Sequence, residues 1–210
     1  MNVTTRFILI LALGVCLCAS CQQISIPSPG TATPVSEPTA TPQLDPDIEE
    51  YVVYNALLGR RFQGDNIDQV LIIDHTQVSN TELLERDLAD FQENAPLAPE
   101  LVTSFMERNQ QPYPLEPVLD FGLEYQLLAQ EEVDDLHSRD EASGWELFYE
   151  IYPNTVGFIY LSRVGFSADF SQALVYISQY HYDQPIQGGY YLMTRQDGSW
   201  LIESSMEWIT

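Results

Sequence analysis

The last third of this chain constrains its fold most. Val156 to Phe166, Ala173 to Tyr182, Tyr190 to Arg195 and Trp200 to Trp208 are four β-rich runs in close succession. Asp197-Gly198 between the last two is a strong hairpin signal, because a tight two-residue turn needs residues that tolerate positive φ. Gly188-Gly189 relaxes the chain into the third run. These runs read as an antiparallel meander.

Helical patterns precede the meander. Asp45 suits an N-cap, Pro46 a first turn, and Asp47, Glu49 and Glu50 complement the positive end of a helix. Ile48, Tyr51, Val52, Asn55 and Leu58 mark one face, with Gly59 as a stop. Val70 to Ile73 reads as a short buried strand. Asn80 or Thr81 caps a second helix carrying Leu84, Leu88 and Phe91. Pro99 opens a third, carrying Leu101, Val102, Phe105 and Met106. Leu119 to Leu127 alternates like a half-buried strand. Glu131 to His137 and Gly144 to Tyr152 read as two further helices. The expected fold class is α+β, with N-terminal helices packed on one face of a C-terminal antiparallel meander.

The start of the chain has a different character. Arg6 is followed by the apolar run Phe7 to Leu17, the length of a signal h-region and too short for a membrane span. Small residues then lead into Cys21. Residues 1–20 read as a bacterial lipoprotein signal, cut before Cys21, whose thiol takes the lipid. Residues 21–46 read as a tether, since six of the thirteen prolines fall between Pro27 and Pro46. At roughly 3.1 Å per residue in polyproline II, such a tether reaches about 75 Å. Residues 47–210 form a single globular domain. The expected location is extracytoplasmic, attached to a bacterial membrane through acyl chains on Cys21.

Charge and cysteine usage exclude several functions. The formal net charge is −23, and all eight basic residues are arginine. That balance opposes nucleic-acid binding, which depends on cations meeting phosphates. Without lysine there is no Schiff-base or P-loop lysine. The three cysteines are Cys16, Cys18 and Cys21, so the domain has no disulfide and no thiolate ligand or nucleophile. No glycine-rich phosphate loop, dinucleotide fingerprint or H-E-x-x-H is present, so no cofactor and no metal is expected. Asp65-Asn66-Ile67-Asp68 lacks the glycine and terminal glutamate of a calcium loop.

Candidate chemistry is sparse. His75 follows Asp74, but neighbouring strand residues point to opposite faces, which makes a direct pair awkward. His137 ends an acidic helix, where a cation suits the dipole. His181, in Tyr180-His181-Tyr182-Asp183 at a strand end, is a candidate ligand contact. Arg163 lies inside an apolar run, where a cation needs a partner or an exit to water. Asp169 and Glu150 are the expected partners, and an anionic ligand is the alternative.

Ser162-Arg163-Val164-Gly165-Phe166, Gln172-Ala173-Leu174-Val175-Tyr176, Gly189-Tyr190-Tyr191-Leu192 and Asp197-Gly198-Ser199-Trp200 together resemble an uncharacterised family of bacterial exported lipoproteins. That resemblance covers the C-terminal third and implies no activity. The order of helices followed by a curved sheet also resembles the cone-like fold of nuclear transport factor two, which often encloses a pocket.

The leading expectation is a non-enzymatic, lipid-anchored envelope protein whose partner, protein or small molecule, is unknown. One alternative is a small-molecule binding module with a pocket between sheet and helices, lined by Tyr160, Tyr176, Tyr180 and Tyr190. Another is an envelope hydrolase that uses a pair of carboxylates.

Overall fold

A computed structural model describes residues 44–64, 66–77, 81–138, 141–182 and 186–209. Cys21, the signal and the tether up to residue 43 lie outside the described residues. A compact unit runs from Pro42 to Thr210.

The first helix, α1 (Pro46–Arg61), starts as its sequence predicts: the Asp45 side chain accepts a hydrogen bond from the Asp47 amide at 2.9 Å. Its buried face differs from the predicted one. Val53, Tyr54, Leu57 and Leu58 go inward together with Glu49 and Glu50, while Ile48 is 68% exposed and Val52 43% exposed. Partners distant in sequence explain the rotation, because both glutamates find donors inside the domain.

After α1 come β1 (Gln69–Ile73), α2 (Thr81–Asn94), α3 (Pro99–Arg108), β2 (Glu124–Leu128), α4 (Gln130–His137) and α5 (Glu141–Ile151). The chain then forms β3 (Phe158–Leu161), β4 (Gly165–Phe166), β5 (Gln172–Tyr180), β6 (Gln187–Gln196) and β7 (Ser199–Ile209). The sheet order is β2-β1-β3-β5-β6-β7, with β4 pairing β5. The fold is α+β, and β5, β6 and β7 form the C-terminal meander. The sheet as a whole is mixed, because β1 pairs in parallel with both β2 and β3.

Helices cover both faces of this sheet, not one. Ala173, Val175 and Ile177 of β5 pack with α1 and with Leu115, Leu119 and Phe121. The alternate residues Leu174 and Tyr176 pack with α2 and α3. On that second face, Leu71, Ile73 and Phe158 pack with Val133 of α4 and with Trp145 and Phe148 of α5. A central strand covered on both sides must be apolar at successive positions, as Val70 to Ile73 are.

The predicted run Val156 to Phe166 is not one strand. It breaks at Ser162, Arg163 and Val164, and side chains replace the ladder at Arg163 and Val164. The Arg163 amide donates to Asn109 Oδ1 at 2.8 Å, and Asn109 Nδ2 donates back to the Arg163 carbonyl at 3.0 Å. The last strand also carries a break. The register with β6 shifts between Leu192 and Met193, which leaves Glu203 as the extra residue of a bulge. The bulge changes the phase of the side chains. Trp200 and Ile202 pack on the α1 face, whereas Met206 and Trp208 pack on the α2–α3 face.

Candidate functional site

The first candidate region surrounds Arg163. Its side chain is 10% exposed and its guanidinium is paired, as a buried cation must be. The partners are Glu50 and Asp47, not the predicted Asp169 or Glu150. Arg163 Nη2 donates to Glu50 Oε2 at 2.9 Å and also to Asp47 Oδ1; Nε donates to both Glu50 oxygens at 3.2 and 3.3 Å. Arg108 Nη2 reaches the same two carboxylates, Asp47 at 2.9 Å and Glu50 at 3.1 Å. The Tyr113 ring lies 3.8 Å from the Arg163 guanidinium carbon, a cation–π contact. Asp169 is held elsewhere. Hydrogen bonds from the Ser171 side chain and amide and from Ser167 keep its carboxyl down at about 2. Glu150 is exposed on α5.

The charges here balance one another. Burial alone pulls the Arg163 pKa down, but the bonds and charge of Glu50, then of Asp47, outweigh it and hold the guanidinium above its ordinary value. Burial likewise raises the Asp47 carboxyl, but Arg163 and Arg108 outweigh that and hold it below its ordinary value. Arg163 also borders a cavity of about 350 Å³ shared with Glu107, Arg108 and Tyr113. Glu49, the neighbour of Glu50, accepts from Trp200 Nε1 at 2.6 Å and pairs with Arg195 at 3.4 Å.

The second region is a cleft of about 410 Å³ on the α2–α5 face of the sheet. Strands β1 and β2 end side by side at Ile73 and Leu128. Residues just past those two ends (His75, Thr76 and Gln77; Gln130, Val133 and Asp134) line the cleft together with Phe158, Tyr160 and Tyr180. Carboxyl ends of parallel strands are a recurrent place for ligands, because chains leaving a sheet there diverge and open a crevice.

His75 and Asp74 do form a direct pair, His75 Nδ1 lying 2.7 Å from Asp74 Oδ1. The alternation rule fails because β1 has already ended. Asp74 is in a bend, and His75 makes an isolated antiparallel bridge with Pro114. The bond fixes the ring through Nδ1. Gln130 is held at both ends: its Oε1 accepts from the Tyr160 hydroxyl at 2.9 Å, and its Nε2 donates to Asp134 at 2.8 Å. Gln77 Oε1 accepts from Ser178 at 3.0 Å. Burial pushes the Tyr160 hydroxyl pKa up.

The structure separates the predicted pocket tyrosines. Tyr160 and Tyr180 line the cleft. Tyr176 and Tyr190 pack against Trp208 at centroid distances of 5.6 and 5.4 Å. His181 lies at the end of β5, half-buried, with its ring 5.5 Å from that of Tyr149 and its Nδ1 2.5 Å from the Tyr182 carbonyl. It does not line the cleft. His137 ends α4, as read from the sequence. Among the described residues, no group of three or more histidine, cysteine or acidic side chains is placed to hold a metal ion. Among them also, no helix is long and apolar enough to cross a membrane.

Sequence reasoning missed Gln77, Gln130 and Asp134 in the cleft, and Asp47, Glu50 and Tyr113 around Arg163. The acids at the start of α1 look like dipole partners, and no local signal marks Glu49 and Glu50 as buried.

Fold and cleft define an α+β domain with a sheet covered on both faces and a crevice at the ends of its parallel strands. Compared with family models, with curated proteins and with solved structures, the chain matches none.

Proposed function

We propose that this protein is a lipid-anchored, extracytoplasmic binding module that takes a small organic ligand in the cleft beside His75. One observation carries the reading: aromatic rings and convergent polar groups meet in a crevice of ligand size, about 410 Å³. Cys21 supplies the attachment, through acyl chains in the membrane. The acidic surface favours solubility and opposes nucleic acid.

The state of the buried carboxylates favours binding over acid-pair hydrolysis. Glu49 and Glu50 are each engaged by an arginine, and neither lines the cleft. Among the described residues that line the cleft Asp134 is the one acid, and acid-pair chemistry needs two carboxyls facing the substrate.

The test is equilibrium dialysis of the mature protein against small-molecule extracts of the producing cells and their medium. Bound compounds are identified by mass, with Gln130→Trp as the comparison. A compound enriched by wild type and lost in the filled-cleft variant supports the reading. Equal enrichment by both proteins contradicts it. The anchor is tested separately. Wild type should partition into detergent with a lipid mass on Cys21, and Cys21→Ala should not. Unmodified Cys21 in the mature protein would reject the anchor.

A further inference from the structure

The cleft's lining also points to a ligand class, an inference that rests on the binding reading above. We propose that the ligand is a small organic cation, an alkylated ammonium group seated against the Tyr160 and Tyr180 rings with Asp134 as its counter-charge.

Ring geometry is the first support. Trp145, Phe158 and Tyr180 form a stacked column, with centroids 5.6 Å apart at 10° and then 5.4 Å apart at 5°. Tyr160 stands across this column, 5.4 Å from Tyr180 at 72°. Two aromatic walls at a steep angle make a corner. Aromatic faces carry negative potential, so such a corner attracts a cation that sheds water easily.

The polar lining gives the second support. Gln130 Oε1 is engaged by Tyr160 and its Nε2 by Asp134, and Gln77 Oε1 is engaged by Ser178. Gln130 thus ties Tyr160 to Asp134, so an aromatic ring and a negative charge are held together. An alkylated ammonium needs π faces and a negative charge, and the cleft provides both.

Charge is the third. The ionisable groups in the lining are the carboxylate of Asp134, the imidazole of His75 held by Asp74, and the phenols of Tyr160 and Tyr180. None of the described arginines lines the cleft. The surrounding chain carries a net charge of −23, which draws cations and repels anions.

The test compares choline with 3,3-dimethyl-1-butanol, its neutral isostere, by titration calorimetry on the mature, full-length protein in detergent. Shape is the same and only charge differs. Choline should bind about tenfold or more tightly than the isostere. Asp134→Asn, at an exposed position, should shrink that preference. Tyr160→Leu should weaken choline binding, and Tyr160→Phe should keep it. Circular dichroism checks that each variant is folded; if Tyr160→Leu is not, Asp134→Asn still decides. Equal binding of the two probes would overturn the cation inference yet leave a binding cleft. Absence of choline binding, or a preference untouched by Asp134→Asn, would also overturn it. The broader reading fails on a different result, equal enrichment by wild type and Gln130→Trp in dialysis.

Discussion

Glu50 and Arg163 meet across 113 positions of sequence, and Glu50 holds the Arg163 loop twice. Its carboxylate accepts from the Arg163 guanidinium at 2.9 Å and from the Val164 amide at 2.6 Å. This acid near the start of α1 thus replaces the strand ladder where β3 breaks before β4. An unpaired amide there would cost free energy comparable to a lost hydrogen bond.

That relationship orders two substitutions. Glu50→Ala strips Arg163 of its main partner and leaves the Val164 amide unmet, so it should cost about 3 kcal/mol or more. Arg163→Met should cost less, because Arg108 and the Val164 amide still satisfy Glu50. Urea midpoints of the two variants check the order. A larger loss in Arg163→Met would show that the cation, not the acid, organises the loop.

Acid should weaken the same junction. The Asp47 carboxyl is held below its ordinary 3.8 in the folded state. A depressed carboxyl stabilises above its unfolded pKa, and that contribution disappears as pH falls through the folded value. Asp47→Asn should therefore flatten the fall in stability below about pH 4. The effect should be modest, because the side chain is half exposed to screening water. Denaturation midpoints of wild type and variant across that range check it.

Alkali acts through Tyr191. Burial is the largest cause pushing its pKa up to about 12, and its hydroxyl donates to Glu207 at 2.9 Å. The folded pKa lies above the unfolded one, so the neutral phenol's contribution is complete below about pH 10. It is lost as pH rises toward about 12. Tyr191→Phe should reduce the loss of stability over that interval, read by circular dichroism.

Backbone shape gives a fourth expectation. Asp197 and Gly198 have φ of 50° and 83°, both positive, so the β6–β7 hairpin closes through a turn of the I′ kind. Nothing lies near a Cβ built on Gly198, so Gly198→Val should cost about 1 kcal/mol through backbone strain alone. Gly165→Ala acts by a different route. Its Cβ would lie 2.5 Å from Phe105 Cβ, so α3 would have to shift off β4. A denaturant midpoint unchanged in either variant would contradict the corresponding geometry.

Particular residues show what the sequence made legible. The Asp197-Gly198 turn, the flanking strands and the Asp45 cap are local, and local chemistry announces them. The buried face of α1 is not local, because Arg163, Arg195 and Trp200 draw Glu49 and Glu50 inward. The same holds for β1, whose parallel partners are reached through intervening helices. The Glu203 bulge hides for another reason: one extra residue leaves the β-rich composition unchanged while moving Trp208 to the opposite face from Trp200. Within the cleft, Tyr160 and Tyr180 were legible as strand tyrosines. Gln77, Gln130 and Asp134 were not, because polar residues at element ends look like ordinary surface.

A crystallographic soak of the protein with a broad collection of small-molecule fragments tests the binding reading most directly. Fragments should gather in the cleft bounded by His75, Gln130, Tyr160 and Tyr180, with their contacts on the tyrosine rings. Fragments that bind elsewhere on the domain while this cleft stays empty would contradict it.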